Sequence, residues 1–177
     1  MALPGSVYVY QGEELGLWEV QDIPDDRRQD PIWHRTNGED TGRDGCRVPL
    51  PWSGDEPPFG FSPEDATAGP WLPQPAAWAA NTAQAQAATP GSVLELYREA
   101  LRLRRAEAAL HTDDFGWLAP DDGAVLDFAR GGRFRCLVNL SGQPVPLPEH
   151  SAILLASGPL AAPAELPANT AVWLRTS

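Results

Sequence analysis

The 177-residue chain contains no lysine, and all thirteen of its basic side chains are arginine, against twenty-four acidic ones and a net charge of −11. Arginine in place of lysine fits a GC-rich coding bias. A balance this acidic argues against nucleic acid or an anionic membrane surface as a partner, because phosphate binding requires clustered positive charge. Cysteine is almost absent: Cys46 and Cys136 lie far apart, which makes no disulfide framework and predicts reduced thiols in a cytoplasmic protein. The three histidines, His34, His111 and His150, show no metal-ligand spacing, so no metal site is expected. No apolar run is long enough to span a bilayer, and residues 1–6 lack the basic and apolar regions of a secretion signal. Neither a Ser-His-Asp set nor a glycine-rich phosphate loop is present.

What is abundant is punctuation: 19 prolines and 16 glycines predict long irregular connections. The run Val7-Tyr8-Val9-Tyr10 stops at Gln11-Gly12 and reads as a buried strand ending in a loop, the place where α/β folds site their chemistry. Such a strand requires parallel neighbours, and no later βα repeats supply them. Residues 18–90 lack sustained periodicity. Asp22–Asp26 and Gln29–Trp33 read as short helical turns, and Thr36-Asn37-Gly38 and Thr41–Gly45 as turns. Between Pro49 and Pro75, Trp52, Phe59, Phe61 and Trp71 predict an ordered loop packed on its own rings.

A helix is expected from Ser92 to about Leu110, opened by a Ser92–Glu95 capping box, with Leu96, Ala100 and Leu103 on one face and arginines at its end. Beyond residue 112 the period changes to two. Phe115–Leu118, a turn at Asp121-Asp122-Gly123, Val125–Phe128, a two-residue hairpin at Gly131-Gly132, and alternation from Phe134 to Leu140 follow in order. With Ala152–Leu155 and Ala171–Leu174 they predict an antiparallel module of about five strands. Cys136 falls on its apolar stripe. Two domains are expected, residues 1–112 and 113–177.

Few residues offer chemistry. Glu13 and Glu14 are adjacent, so at a strand end they point apart and cannot form one catalytic dyad. Arg43, Asp44 and Arg47 crowd the turn at Gly45; arginines held beside a carboxylate recognise polyhydroxylated ligands through forked hydrogen bonds, or simply brace a loop. The loop aromatics suit either sugar stacking or self-packing.

Taken together, Tyr10-Gln11-Gly12-Glu13-Glu14-Leu15-Gly16-Leu17, Asp30-Pro31, Gly42-Arg43-Asp44-Gly45-Cys46-Arg47-Val48-Pro49-Leu50-Pro51-Trp52, Trp71-Leu72-Pro73 and Ser92–Arg98 with Leu103-Arg104 resemble the C-terminal part of an α-glucosidase of the α-amylase family, glycoside hydrolase family 13. The resemblance implies the last strand–loop–helix unit of a (β/α)8 barrel followed by an antiparallel, sandwich-like β domain. Val7–Tyr10 would be strand eight, residues 11–90 its loop, and Ser92–Leu110 helix eight. It implies a retaining mechanism with a carboxylate nucleophile and acid/base, both supplied by a part of the barrel upstream of Met1. No catalytic residue is therefore expected in this chain, and no cofactor. The family's loop arginine, which fixes the terminal glucose, corresponds to Arg43, with Arg47 second. An oligosaccharide or disaccharide such as maltose or isomaltose is the implied substrate. A trehalose synthase or other transglycosylase of the same family, and a non-catalytic carbohydrate-binding β module, are the alternative expectations.

Overall fold

The computed structural model describes residues 1–118, 123–162 and 164–176. The chain forms two compact units, Val9–Glu95 and a second made of Met1–Tyr8 with Leu96–Ser177.

Val9–Glu95 contains no strand among the described residues. Short helical turns build it instead: Glu13–Leu15, Asp25–Arg27, Asp44–Cys46 and Ala76–Asn81 are 3-10 turns, while α1 (Pro31–Arg35) and α2 (Ala83–Gln86) are single α-turns. Both α-turns are started by side chains. Asp30 accepts from the Ile32 N–H with Pro31 at the first helical position, and the Thr82 hydroxyl accepts from the Ala85 N–H. Without ladders, backbone groups must find side-chain partners. The buried Gln86 amide meets part of that need, donating to the Leu15 and Asn81 carbonyls and accepting from the Leu94 N–H. The apolar centre is Val20, Ile23, Val48, Phe59, Leu72 and Trp78. Of the loop aromatics, only Phe59 is buried; Trp52, Phe61 and Trp71 stay about half exposed. The expectation that the loop packs on its own rings thus holds for one ring of four.

The long helix α3 spans Val93–Ala106 and is followed by a 3-10 turn, Ala108–His111. It ends four residues before Leu110 because Glu107 adopts an extended conformation. The Ser92 hydroxyl accepts from the Glu95 N–H as expected, whereas the Glu95 carboxylate accepts from the Ala88 N–H.

The second unit is built on β1 (Gly116–Trp117), β2 (Val125–Arg130), β3 (Phe134–Asn139), β4 (Val145–Pro146), β5 (Ala152–Ala156), β6 (Glu165–Leu166) and β7 (Thr170–Arg175). Five form an antiparallel sheet in the order β1-β2-β3-β7-β5, and β4 pairs with β6 in a separate ribbon. Alternation gives the central strand two buried faces. Phe134 and Cys136 pack with Phe128, Trp173, Ala100, Leu103, Leu110 and Ala2; Leu137 packs with Val172, Leu174 and Leu166. The Arg130↔Phe134 register leaves three residues, Gly131 to Arg133, in the hairpin loop rather than two. Gly131 is at φ 52°, and a Cβ there would lie 2.5 Å from the Ala109 Cα, so the turn is fitted to the chain beneath it. The predicted turn at Asp121-Asp122 lies outside the described residues.

Val7–Tyr10 is not a strand here. Among the described residues it has no ladder partner, and Tyr8 is 90% exposed; strand propensity cannot be realised without a neighbour to pair with. Just before it, arginines hold the chain by its carbonyls. Arg104 donates to Met1, Leu3 and Gly5. Arg130, only 1% exposed, donates to Ala2, Leu110, Thr112 and Asp114. No helix among the described residues is long and apolar enough to cross a membrane.

Two predictions follow from this packing. Arg130→Met removes the donor of four carbonyls and should cost about 3 kcal/mol, read as a lower urea midpoint. Burial pushes the Cys136 thiol up to about 12, while Cys46 is exposed; a thiol-reactive chromophore should therefore titrate one sulfur in the native chain and two in denaturant.

Candidate functional site

The candidate site is the stretch from Tyr10 to Arg47, and it is folded around one buried carboxylate. Asp44 accepts from the N–H groups of Gln29 and Asp30 at 2.7 and 2.8 Å and from the Arg47 guanidinium at 3.1 Å. Asp30, which caps α1 with one oxygen, uses the other to accept from the Arg43 N–H at 3.0 Å. The Arg47 Nη1 bridges both acids, at 3.2 Å from Asp30 and 3.1 Å from Asp44. Two loop segments far apart in sequence are thereby clasped. Close approach completes the join: the Val20 N–H donates to the Gly45 carbonyl, and a Cβ on Gly45 would lie 2.4 Å from the Val20 oxygen.

The electrostatics follow from these contacts. Burial pushes the Asp44 carboxyl up, but the Asp30 and Gln29 N–H groups and Arg47 outweigh it and hold the carboxyl below its ordinary value. The Ile32 and Arg43 N–H groups, with Arg47 behind them, hold Asp30 down against its own desolvation. Burial pulls the Arg47 guanidinium down, yet its hydrogen bond to Asp44 and the nearby Asp30 carry it above its usual value.

The two arginines expected to bind ligand are thus placed differently. Arg47 is committed to the clasp. Arg43 is exposed, and among the described residues its guanidinium makes no hydrogen bond or ion pair; only its backbone N–H is engaged. A free planar fork on a braced loop can donate two parallel hydrogen bonds to vicinal hydroxyls or a carboxylate.

Glu13 and Glu14 lie in a 3-10 turn rather than at a strand end, and each caps its own loop. Glu13 accepts from the Tyr10 N–H and Glu14 from the Gly12 N–H. Beside them a cavity of about 100 Å³ is lined by Tyr10, Glu13, Trp18, Glu19, Cys46 and Trp78 among others. Partial desolvation, and then Glu19, which accepts from the thiol at 3.7 Å, push the Cys46 pKa up, which slows the reaction of this exposed sulfur without shielding it from a thiol reagent. Among the described residues no three His, Cys, Asp or Glu side chains converge as metal ligands.

Sequence reasoning picked out Arg43, Asp44 and Arg47 but missed the partnership of Asp30. Local patterns gave only part of it: aspartate before proline signals a helix N-cap and Asp44 three residues before Arg47 an ion pair, but the contacts of Asp30 with Arg43 and Arg47 span 13 and 17 residues.

The family profile "Alpha amylase, catalytic domain" matches residues 1–113. The chain belongs to the α-amylase family. A second profile, "Domain of unknown function (DUF3459)", matches residues 104–173. Among curated relatives, a probable alpha-glucosidase of Rhizobium meliloti is 36% identical over 81% of this chain, which spans 25% of that protein. Trehalose synthase/amylase TreS of Mycobacterium tuberculosis is 31% identical over 83% of the chain and 23% of its own length. Among solved structures, the alpha-glucosyl transfer enzyme XgtA superposes with a TM-score of 0.79 and 30% identity, over 99% of this chain and 34% of that one. The chain therefore spans about a quarter of the curated relatives it matches. Its architecture is a segment of the α-amylase catalytic domain followed by an antiparallel β domain, with no closed barrel among the described residues.

Because Asp30 and Asp44 have depressed pKa values in the fold, the stability they contribute is fully present above the unfolded-state value of about 3.9 and is lost as pH falls through the lower folded-state values. Stability measured by urea unfolding should drop on acidification below about pH 4, and Asp44→Asn should flatten that dependence while lowering stability at neutral pH.

Proposed function

We propose that these 177 residues are the C-terminal segment of a cytoplasmic α-glucosidase that hydrolyses α-linked glucosides of the maltose or isomaltose type. Residues 1–112 would close the barrel, with Val7–Tyr10 taking its ladder partners from outside this chain, and residues 113–177 would form the β domain. The observation that carries the reading is the free Arg43 guanidinium, held on a clasped loop within the part of the chain that matches the α-amylase catalytic domain. Its role is to fix the hydroxyls of the terminal glucose, so that the anomeric carbon meets groups supplied by the rest of the barrel. Those groups would be a carboxylate nucleophile and a carboxylic acid, acting by double displacement through a glucosyl-enzyme intermediate. No cofactor takes part. Glu13 and Glu14 are excluded from those roles because both carboxylates are spent on loop N–H groups.

The likeness to a trehalose synthase and to an alpha-glucosyl transfer enzyme favours a second reading, in which the intermediate is passed to a sugar rather than to water. A carbohydrate-binding β module is not supported. Phe128, Phe134 and Trp173 are buried in its core, and Trp117 is the one largely exposed aromatic ring among the described residues of 113–177.

The test replaces the matching segment of the Rhizobium α-glucosidase with residues 1–177. The hybrid should release glucose from maltose or isomaltose, while the isolated chain should show no turnover above blank. Arg43→Ala in the hybrid should lower kcat/KM about 100-fold, equivalent to about 2.7 kcal/mol, without changing its melting temperature. Arg47→Ala should lower the melting temperature. Trehalose as the main product from maltose would favour the second reading, and turnover by the isolated chain would refute the first.

A further inference from the structure

The clasp fixes Arg43 from one side, through its own N–H and through Asp44, the next residue. On the other side, the chain entering Arg43 at Thr41 meets an arginine that takes no part in the clasp. Arg28 directly precedes Gln29, whose N–H donates to Asp44. Its own side chain is buried and binds elsewhere. Nη2 donates to the Gln21 carbonyl at 2.9 Å, and Nη1 reaches the Thr41 carbonyl at 3.5 Å. The guanidinium carbon lies 5.0 Å from the ring centre of Trp33, in α1. One buried fork thus spans three segments of the loop. At Gly42 the chain runs flush against Asp30: φ is 66°, and an added Cβ would lie 2.6 Å from the Asp30 Cβ. With no slack there, a shift at Thr41 is passed on to the Arg43 N–H instead of being absorbed.

Arg28 is poorly arranged for stability alone. Its Nε is buried and has no hydrogen-bond partner. The Asp25 carboxylate stands 3.7 Å from that atom, on a side chain that is 81% exposed. Arg47, by contrast, has two acids at 3.1 and 3.2 Å. A guanidinium taken out of water with a distant, solvated counter-ion gains little net energy. What Arg28 supplies is geometry, because its donors and its flat face are rigidly related to one another.

We propose that Arg28 is a positioning residue for Arg43. By bridging Gln21 and Thr41 against Trp33, it sets where the Thr41–Arg43 segment stands relative to the clasp, and so where the free fork meets the sugar. Its part in catalysis rests on the α-glucosidase reading; its coupling to Arg43 rests on these contacts alone.

The experiment is a double-mutant cycle in the hybrid enzyme, joined to amide hydrogen exchange in the 177-residue chain. Arg28→Met should lower kcat/KM about tenfold, with a smaller fall in melting temperature than Arg47→Ala. Arg28→Lys, which keeps the charge but not the fork, should lose about as much activity. In an Arg43→Ala background, Arg28→Met should cost no more than about twofold further, since it acts through Arg43. An equal loss in both backgrounds, or full activity in Arg28→Lys, would overturn the proposal. In the 177-residue chain, Arg28→Met should speed exchange at the Gly42 and Arg43 amides at least about tenfold and leave the Arg47 amide unchanged. Unchanged exchange at Gly42 and Arg43 would overturn the coupling, as would a uniform rise that includes Arg47. An inactive wild-type hybrid would refute the α-glucosidase reading, while selective exchange at Gly42 and Arg43 would still uphold the coupling.

Discussion

The candidate site rests on one buried carboxylate. Asp44 accepts two backbone N–H groups and one guanidinium, and it does so in a unit with no β-ladder and only single turns of α-helix before α3. Where secondary structure does not pair the backbone, each buried N–H needs another acceptor. A carboxylate suits this role because it offers several lone pairs and charge-assisted bonds. Removing it would leave the Gln29 and Asp30 N–H groups and the Arg47 charge without their common partner. The clasp is therefore the condition for any fixed geometry at Arg43, whose own N–H is anchored to the second acid of the pair.

The β unit solves the opposite problem. Its ladders pair the backbone, and its difficulty lies in burying both faces of a small sheet. The β4–β6 ribbon covers one face through Leu166, and α3 with the N-terminal residues covers the other through Ala100, Leu103 and Ala2. Carbonyls left over between these layers converge on Arg104 and Arg130. Arginine fits here because its fixed fork of five donors can serve several carbonyls at once, which a lysine ammonium cannot match in geometry.

The division of labour between the two loop arginines bears on function. A residue that braces a loop and one that meets a ligand need opposite surroundings: the first is consumed by neighbouring carboxylates, the second keeps its donors free. Arg47 and Arg43 occupy those two situations four residues apart.

Local signals made much of this legible. Asp30-Pro31, Ser92 with Glu95, and the period-two alternation around Cys136 each depend on neighbours a few residues away, and each formed. Fold class and family were likewise readable, because the Gly42–Trp52 stretch and the Gln11–Gly16 turn are specific as a set. What stayed hidden depended on partners distant in the chain or outside it. Val7–Tyr10 has strand propensity but no ladder, because a strand is a relation between segments and these residues find no pairing neighbour among the described residues. The hairpin at Gly131 took an extra residue because the chain beneath it, at Ala109, dictates the approach. Composition and spacing alone determined that this chain has a turn-rich, acidic loop region followed by a helix and an antiparallel module. Only the tertiary structure decided which arginine is free, because that depends on two carboxylates brought together from Asp30 and Asp44 by backbone donors that no local pattern specifies.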